Sequence, residues 1–255
     1  MQMKLSMTAS PEFRPPGPAG RAGQFTTTHW SLVLAAAEQS TPEGAEALAE
    51  LCRTYWYPLY AYVRRRGYGV TDAQDLTQEF FARLLEKHYV GNVDRRKGKF
   101  RSFLLASLEH FLAKEWTRAH RLKRGGGHII IPWDGYDPEE RYRLEPPDDA
   151  SAERIYERRW ALAVLEQAMG ALAADYTAAG KGHLFEELKP FLSGDDESIS
   201  YPELAARLGL AEGTVRVAVH RLRQRYGVAV RAELAKIVQK PEDIDGELRH
   251  LFAAL

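Results

Sequence analysis

Two short amphipathic segments separated by one glycine lie within residues 200–226. Residues 200–203, Ser-Tyr-Pro-Glu, have the form of a capping box, which predicts that a helix begins there. Gly209 predicts the end of that helix about two turns later, and a second helix is predicted from about 214 to 226. Short paired helices with a glycine in the turn are typical of a helix-turn-helix. The predicted inner-face side chains are Leu204, Ala205, Leu208, Val215, Ala218, Val219, Leu222 and Tyr226.

The outer face of the second helix is suited to contact DNA. At about 100° per residue, its outward side chains are predicted to enter the major groove. Arg221 and Arg225 remain available for phosphates. The alternative is an ordinary helical hairpin with an arginine-rich exterior. Because the turn, the caps and the charge agree, DNA binding is favoured. The outward side chains are Arg216, Val217, His220 and Gln224.

Positive charge is concentrated in two segments of a chain whose net charge is zero. Residues 94–124 contain ten lysines and arginines against three acids, and residues 214–231 contain five arginines and no acid. Such segregation suits binding to a phosphate backbone, where affinity comes largely from released counterions. One basic run alone is more often a solvated helix face. Two runs, each beside a segment suited to nucleic acid, favour DNA binding.

Helical periodicity recurs along the chain, and strand signals are weak, the best being residues 129–131. Residues 1–24 are rich in proline and glycine and are predicted to be a disordered tail. Residues 125–150 contain seven acids against two bases and no sustained helical period, which predicts an acidic linker. We therefore predict an all-α fold with two helical domains joined by that linker.

Several classes of protein are excluded by composition. No apolar run approaches the roughly 18 residues that a transmembrane helix needs, and the first residues lack the apolar stretch of a signal peptide. The single cysteine, Cys52, cannot build a disulfide framework or a zinc site of several cysteines. We expect a cytoplasmic protein that binds neither a membrane nor a cofactor.

A helix predicted over residues 72–86 has an acidic stripe beside its apolar core face. Residues 71–74 have the form of a capping box, with Thr71 as the cap. Three interpretations of the stripe stay open: a solvated surface, a divalent-cation site and a docking surface for a basic protein. The stripe consists of Asp72, Asp75, Glu79 and Glu86, with Phe81 and Leu85 on roughly the opposite side.

The next predicted helix, over about 100–120, mixes aromatic rings with lysines and arginines, which suits stacking on unpaired bases. Core packing is the default for each ring taken singly. Trp116 lies about 160° from Phe100 and about 140° from Phe111 around the helix, so one core stripe cannot hold all three rings. At least one ring is expected to face a second element or a ligand.

Together these motifs resemble a bacterial RNA polymerase sigma factor of the extracytoplasmic-function (ECF) type. Residues 72–81, DAQDLTQEFF, are similar to the region-two helix that docks on the clamp helices of the polymerase β′ subunit. Residues 98–104, GKFRSFL, and the basic stretch that follows to 124 are similar to the part that melts and reads the minus-ten promoter element. Residues 200–216 closely match the region-four helix-turn-helix that reads the minus-thirty-five element.

The resemblance implies three sets of site residues, and no catalytic residue or metal. Polymerase docking is assigned to Asp72, Asp75, Gln78, Glu79 and Phe81. Minus-ten binding and melting are assigned to Arg96, Lys97, Lys99, Arg101, Trp116, Arg118, Arg121, Lys123 and Arg124, with a pocket for a flipped base around 93–99. Minus-thirty-five binding is assigned to Glu212, Thr214, Arg216, Val217, His220, Arg221, Gln224 and Arg225.

The resemblance also implies a division of the chain and a set of partners. A region-two-like domain is expected over 25–124 and a region-four-like domain over 151–239, on either side of the acidic linker. Residues 240–255 form a helical extension beyond the family's pattern, either regulatory or a cap on an exposed apolar face. The implied partners are core RNA polymerase, through its β′ clamp helices and β flap, and promoter DNA; an anti-sigma protein is a further partner that the family allows.

Two rival functions remain. A stand-alone transcriptional regulator would use the same helix-turn-helix without polymerase, usually as a dimer on paired half-sites. A metal-dependent nucleic-acid enzyme would use Asp72, Asp75 and Glu79. The second rival is the weaker, because the sequence contains no phosphate-binding loop, no nucleophile triad and no further metal-ligand cluster.

Overall fold

The computed structural model describes residues 41–85, 99–119, 138–143, 150–192, 200–238 and 240–255. Within these ranges the chain is helical and contains no strand, so the all-α prediction is confirmed. Two short 3-10 helices, Lys189–Leu192 and Pro241–Asp243, connect α-helices. The α-helices of the described ranges are α1 (Pro42–Arg65), α2 (Val70–Leu85), α3 (Phe100–Ala119), α4 (Pro138–Arg143), α5 (Ala152–Ala178), α6 (Gly182–Leu188), α7 (Tyr201–Leu208), α8 (Glu212–Ile237) and α9 (Ile244–Ala254).

The first two helices begin differently from one another. Thr41 caps α1, with its hydroxyl oxygen accepting a hydrogen bond from the Gly44 N–H at 3.0 Å. The predicted capping box at 71–74 is wrong, because α2 already begins at Val70. The Gly69 carbonyl accepts a hydrogen bond from the Ala73 N–H at 2.9 Å, so Thr71 lies within the first turn.

A large aromatic core holds the first group of helices together. It combines α1, α2 and α3 with the first half of α5, the last turns of α8, and α9. The apolar face of α1 is unusually rich in tyrosine, and the buried rings pack edge-to-face, as Tyr55 does on Phe100 at 5.3 Å between centroids. Its largest fully buried side chains are Trp160, Arg101, Tyr55, Tyr60, Tyr62, Tyr156, Phe80, Phe81, Phe100 and Phe111.

A second, smaller core lies beneath the helix-turn-helix. It joins the second half of α5 to α6, the 3-10 helix that follows α6, α7 and the first half of α8. Tyr176 and Phe185 pack at 5.5 Å between ring centroids, and Phe191 packs on Tyr201 at 5.0 Å. These contacts place residues 182–192 in the same bundle as the helix-turn-helix.

Two long helices run through both cores, and here the packing differs from the predicted division at residue 150. Residues 152–168 of α5 belong to the first core, although they were expected in the second domain. The helix has 27 residues and carries apolar side chains along its whole length, so each half serves a different bundle. Likewise α8 continues past the predicted end at 226, because Val230, Leu234 and Ile237 are buried in the first core.

No described helix combines the length and the apolar character needed to cross a bilayer.

Candidate nucleic-acid interface

The helix-turn-helix forms as predicted, and its determinants are local. Ser200 caps α7: its Oγ accepts from the Glu203 N–H at 3.4 Å, and the Ser200 N–H donates to the Glu203 carboxylate at 2.9 Å. Hydrogen bonds from Ser200 hold the pKa of Glu203 below its ordinary value. Gly209 ends the helix with φ of +64°, a left-handed conformation that side chains with a Cβ rarely adopt.

The cap on α7 yields the first prediction. Ser200→Ala removes the hydroxyl acceptor and should lower the free energy of unfolding by about 1 kcal/mol. Urea unfolding, monitored by the helical ellipticity, measures this change in the free energy of unfolding. Ser102→Ala, at an exposed position within α3, is the matched control and should be nearly neutral. A loss no larger than that of the control would show that the capping box does not stabilise the motif.

The inner face of the motif is buried, which confirms its predicted orientation. Leu204 on α7 and Val215, Val219 and Leu222 on α8 are each at most 1% exposed. Tyr226, at the end of this stripe, is half-buried, and its hydroxyl donates to the Leu165 carbonyl at 3.2 Å. The packing fixes how α8 turns about its own axis and therefore which residues it presents outward.

The predicted minus-thirty-five residues lie together on the outer side of the first four turns of α8. Seven of the eight are exposed, and Glu212 is half-buried at the helix start. Their setting matches an exposed reading face. The exposed seven are Thr214, Arg216, Val217, His220, Arg221, Gln224 and Arg225.

Neighbouring side chains orient the arginines of this face. The Arg216 guanidinium donates twice to Glu212 Oε1, at 2.9 and 2.6 Å, and lies 4.5 Å from the centre of the Tyr201 ring. Arg225 lies 5.3 Å from the ring of Tyr176. These cation–π contacts restrict the arginine rotamers, so less conformational freedom is left to lose on binding.

The acidic stripe of α2 lies at the surface, but one of its carboxylates already has a partner within the fold. Asp72 and Asp75 are exposed, and Gln78 is half-buried. The Glu79 side chain is 42% exposed and accepts a hydrogen bond from Arg83 at 2.6 Å, one turn along the helix. Arg83 also pairs with Glu115 of α3 at 2.7 Å, so this end of the stripe joins the two helices.

The prediction that Phe81 is an exposed docking residue is wrong. Phe81 is 1% exposed and packs edge-on against Phe80 at 6.1 Å between ring centroids. Because α2 lies against both α1 and α3, its apolar surface is wider than one stripe, and the face opposite the acids is also covered. The members of the predicted docking set that reach the surface are therefore polar.

The basic segment contains a larger correction, at Arg101. This side chain is 2% exposed, whereas DNA binding requires it at the surface. Its guanidinium donates to Glu157 at 2.9 Å and to Glu247, and lies 4.4 Å from the ring centre of Trp160. Its charge is already neutralised inside the fold, so Arg101 acts as a structural residue in this arrangement.

The aromatic rings of α3 lie on different faces of the helix, as the angles around it predicted. Phe100 and Phe111 are at most 1% exposed, while the Trp116 side chain lies on the surface with 59% of the residue exposed. One helix face therefore serves the core and another presents an indole. Lys99, just before α3, has a half-exposed side chain and pairs with Glu247 at 2.6 Å.

Part of the acidic linker is anchored to the first core, which the sequence did not predict. In α4, Glu139 accepts from Arg64 at 2.9 and 3.0 Å and from the Tyr60 hydroxyl at 2.8 Å. The Arg64 guanidinium lowers the pKa of Glu139, and burial with this carboxylate raises that of Tyr60. Tyr142 stacks on Arg64 at 5.0 Å. Two acids followed by Arg-Tyr-Arg over 139–143 are the sequence pattern that could have indicated this helix.

Several predicted features lie outside the described residues. They include the tail at 1–24, Glu86, the proposed base pocket before Lys99 and the strand signal at 129–131. The boundaries predicted at 124 and 239 also fall there. The minus-ten candidates that cannot be placed are Arg96, Lys97, Arg121, Lys123 and Arg124, together with the side chain of Arg118.

The divalent-cation interpretation gains no support from the geometry. Among the residues that the structure describes, no group of three or more histidine, cysteine, aspartate or glutamate side chains is placed to hold a metal ion. The one cysteine of the chain, Cys52, is buried, and desolvation raises the pKa of its thiol to about 12.

Comparison with known proteins connects this arrangement to transcription. The chain is similar to the ECF RNA polymerase sigma factor SigE of Mycolicibacterium smegmatis (strain ATCC 700084 / mc(2)155), with 29% identity over 176 residues. The match covers 69% of this chain and 58% of that protein, so the chain spans a little over half the length of the curated relative. The similarity confirms the resemblance to ECF sigma factors that the motifs indicated. No protein-family model and no solved structure matches the chain.

Proposed function

We propose that this chain is a transcription initiation factor of the ECF sigma type, which binds core RNA polymerase and directs it to promoters. The observation that carries the proposal is the helix-turn-helix, whose packed inner face leaves an arginine-rich outer face on the first turns of α8. The similarity to a curated ECF sigma factor supports the same function. In this role the protein acts in the cytoplasm, beside the polymerase, and has no catalytic site of its own.

The helix-turn-helix would read upstream DNA in the major groove. The N-terminal part of α8 enters the groove, so that Arg216, Val217 and His220 approach base edges. Arg221 and Arg225, further along the helix, approach phosphates and fix the register. To present a fork of donors to a purine edge, the Arg216 guanidinium would exchange its exposed hydrogen bonds to Glu212 for hydrogen bonds to the base.

The first core would provide polymerase docking and promoter melting. Asp72, Asp75 and Glu79 would meet basic residues of the β′ clamp helices, while the region-four bundle would contact the β flap. Trp116 would stack on an unpaired base beside the basic residues that follow α3. Unstacking a base from the duplex costs a few kcal/mol, which stacking on an aromatic ring and contacts to the backbone can offset.

Transcription in vitro tests the proposed function. Purified protein and bacterial core polymerase are incubated with a pool of promoter fragments from the source genome, and transcripts are sequenced. Transcripts that begin at defined positions and require this protein are the expected result. Duplex DNA binding without polymerase, and no protein-dependent transcript, would instead indicate the stand-alone regulator.

A substitution at the reading face tests the role of α8. Arg216→Ala should weaken binding to the cognate upstream element by about 1–3 kcal/mol and relax base preference at the position it contacts. Competition binding of polymerase holoenzyme to cognate and scrambled fragments measures both effects. Arg231→Ala, on the same helix about 22 Å away, is the control and should leave base preference unchanged. An equal loss on scrambled DNA would show that Arg216 contacts only phosphate.

A further inference from the structure

The C-terminal helix α9 lies over the start of the segment that is assigned to promoter melting. Lys99 and Arg101 are the cations of residues 98–104, and the same carboxylate, that of Glu247 on α9, pairs with both. Glu247 is 2% exposed. A carboxylate that is distant in the sequence thus neutralises both cations at the start of this segment.

Lys99 and Arg101 differ in their exposure and in the partners that they would retain without Glu247. Arg101 is buried against Trp160 and retains Glu157 at 2.9 Å, so it stays within the fold. The Lys99 side chain is 47% exposed, and Glu247 is the partner that orients it. Release of Glu247 would therefore return one solvent-accessible cation to the edge of the melting segment.

The helix α9 is short, and few of its side chains are fully buried. It follows the exposed 3-10 turn Pro241–Asp243, which lies between α8 and α9 in the sequence. Of its 11 residues, only Glu247 and Leu251 are fully buried. Two further contacts hold α9. Arg231 of α8 pairs with Asp245, which is exposed at both ends and contributes little. His250 lies 2.8 Å from Glu157 of α5, in a partly buried position.

We propose that α9 is an autoinhibitory element, whose Glu247 competes with single-stranded promoter DNA for Lys99. The free chain is then a closed form. Binding of the melted strand favours release of α9, and release of α9 favours binding of the strand. This inference rests on the proposed function, since it requires that the segment around Lys99 contacts DNA. It gives the C-terminal extension a role beyond capping the apolar surface of the first core.

The proposal is tested by the affinity of the full chain for a fluorescein-labelled oligothymidine, measured by fluorescence anisotropy. Glu247→Gln keeps the shape of the side chain but removes its charge, and should strengthen binding about fivefold at 0.1 M salt. That factor corresponds to one added phosphate contact, with a salt slope steeper by about 0.7. The double variant Lys99→Gln/Glu247→Gln should lose this gain. Asp245→Asn removes an exposed charge from the same helix and should change affinity less than about twofold.

A second measurement uses the unaltered chain, so that it does not depend on how a variant folds. If releasing α9 favours DNA, then DNA must favour release of α9 by the same factor. Hydrogen exchange of the amides of residues 244–254 should accelerate at saturating oligothymidine, while exchange in α1 stays constant. Unchanged or slower exchange in α9 would overturn the proposal, as would an equal response of Glu247→Gln and Asp245→Asn.

Co-elution with core polymerase, measured on the same preparations, separates this inference from the proposed function. Co-elution without the gain in Glu247→Gln would contradict only the autoinhibitory role of α9. Failure of every variant to co-elute would contradict the proposed function itself.

Discussion

Arg101→Ala should lower the free energy of unfolding by about 3–5 kcal/mol, the cost of removing one partner of a buried ion pair. The substitution leaves Glu247 buried with Lys99 as its remaining cation, which places the loss toward the lower part of that range. It also removes the guanidinium that lies 4.4 Å from the Trp160 ring centre. The fall in the urea midpoint, read by helical ellipticity, measures the effect.

Two further variants test whether the loss in Arg101→Ala comes from breaking a buried ion pair. Arg231→Ala breaks an exposed pair with the same C-terminal helix and should cost less than about 1 kcal/mol. The double variant Arg101→Met/Glu247→Met replaces both buried charges with apolar groups and should recover most of the lost stability. If Arg101→Ala unfolds no more easily than Arg231→Ala, Arg101 is not the buried structural cation that this packing describes.

Glu79→Lys should abolish binding to core polymerase, because it reverses charge at the centre of the proposed docking stripe. The fold should survive, since Arg83 loses Glu79 but retains Glu115 at 2.7 Å. A like-charged pair one turn apart on a helix costs only about 0.5 kcal/mol. Affinity for immobilised core polymerase and the thermal midpoint of the variant measure the two effects separately.

Glu46→Lys is the matched control for the docking stripe. It makes the same charge reversal at an exposed position on the neighbouring helix α1, outside the stripe. It should retain most of the polymerase affinity. Equal losses in the two variants would indicate general repulsion by added positive charge, and unchanged binding in Glu79→Lys would remove α2 from the interface.

The parts of the fold that sequence alone predicted are those with local causes. The helix-turn-helix follows from a capping box at Ser200, a left-handed glycine at 209 and apolar residues at helical spacing, all within one short stretch. The angles around α3 predicted that its aromatic rings could not share one core stripe, and Trp116 is the ring that lies at the surface. None of these features needs a contact between residues that are distant in the chain.

Apart from the capping box predicted at 71–74, the errors arise where distant segments meet. Arg101 is buried because Glu247 lies 146 residues away in sequence yet beside it in the fold, a pairing that no local pattern predicts. Phe81 is buried because α2 has helices on two sides. The helix α8 continues through Gly227, which disfavours helix locally, because Val230 and Leu234 beyond it are buried in the first core. In each case tertiary packing overrides the local signal.

The most direct test of the central claim is size-exclusion co-elution of the purified protein with bacterial core RNA polymerase. We expect the wild-type chain and Glu46→Lys to form a stoichiometric complex with the polymerase. Glu79→Lys should form no complex. Elution of the protein apart from polymerase, combined with a shift of duplex DNA by the protein alone, would contradict the sigma-factor account and favour a stand-alone regulator.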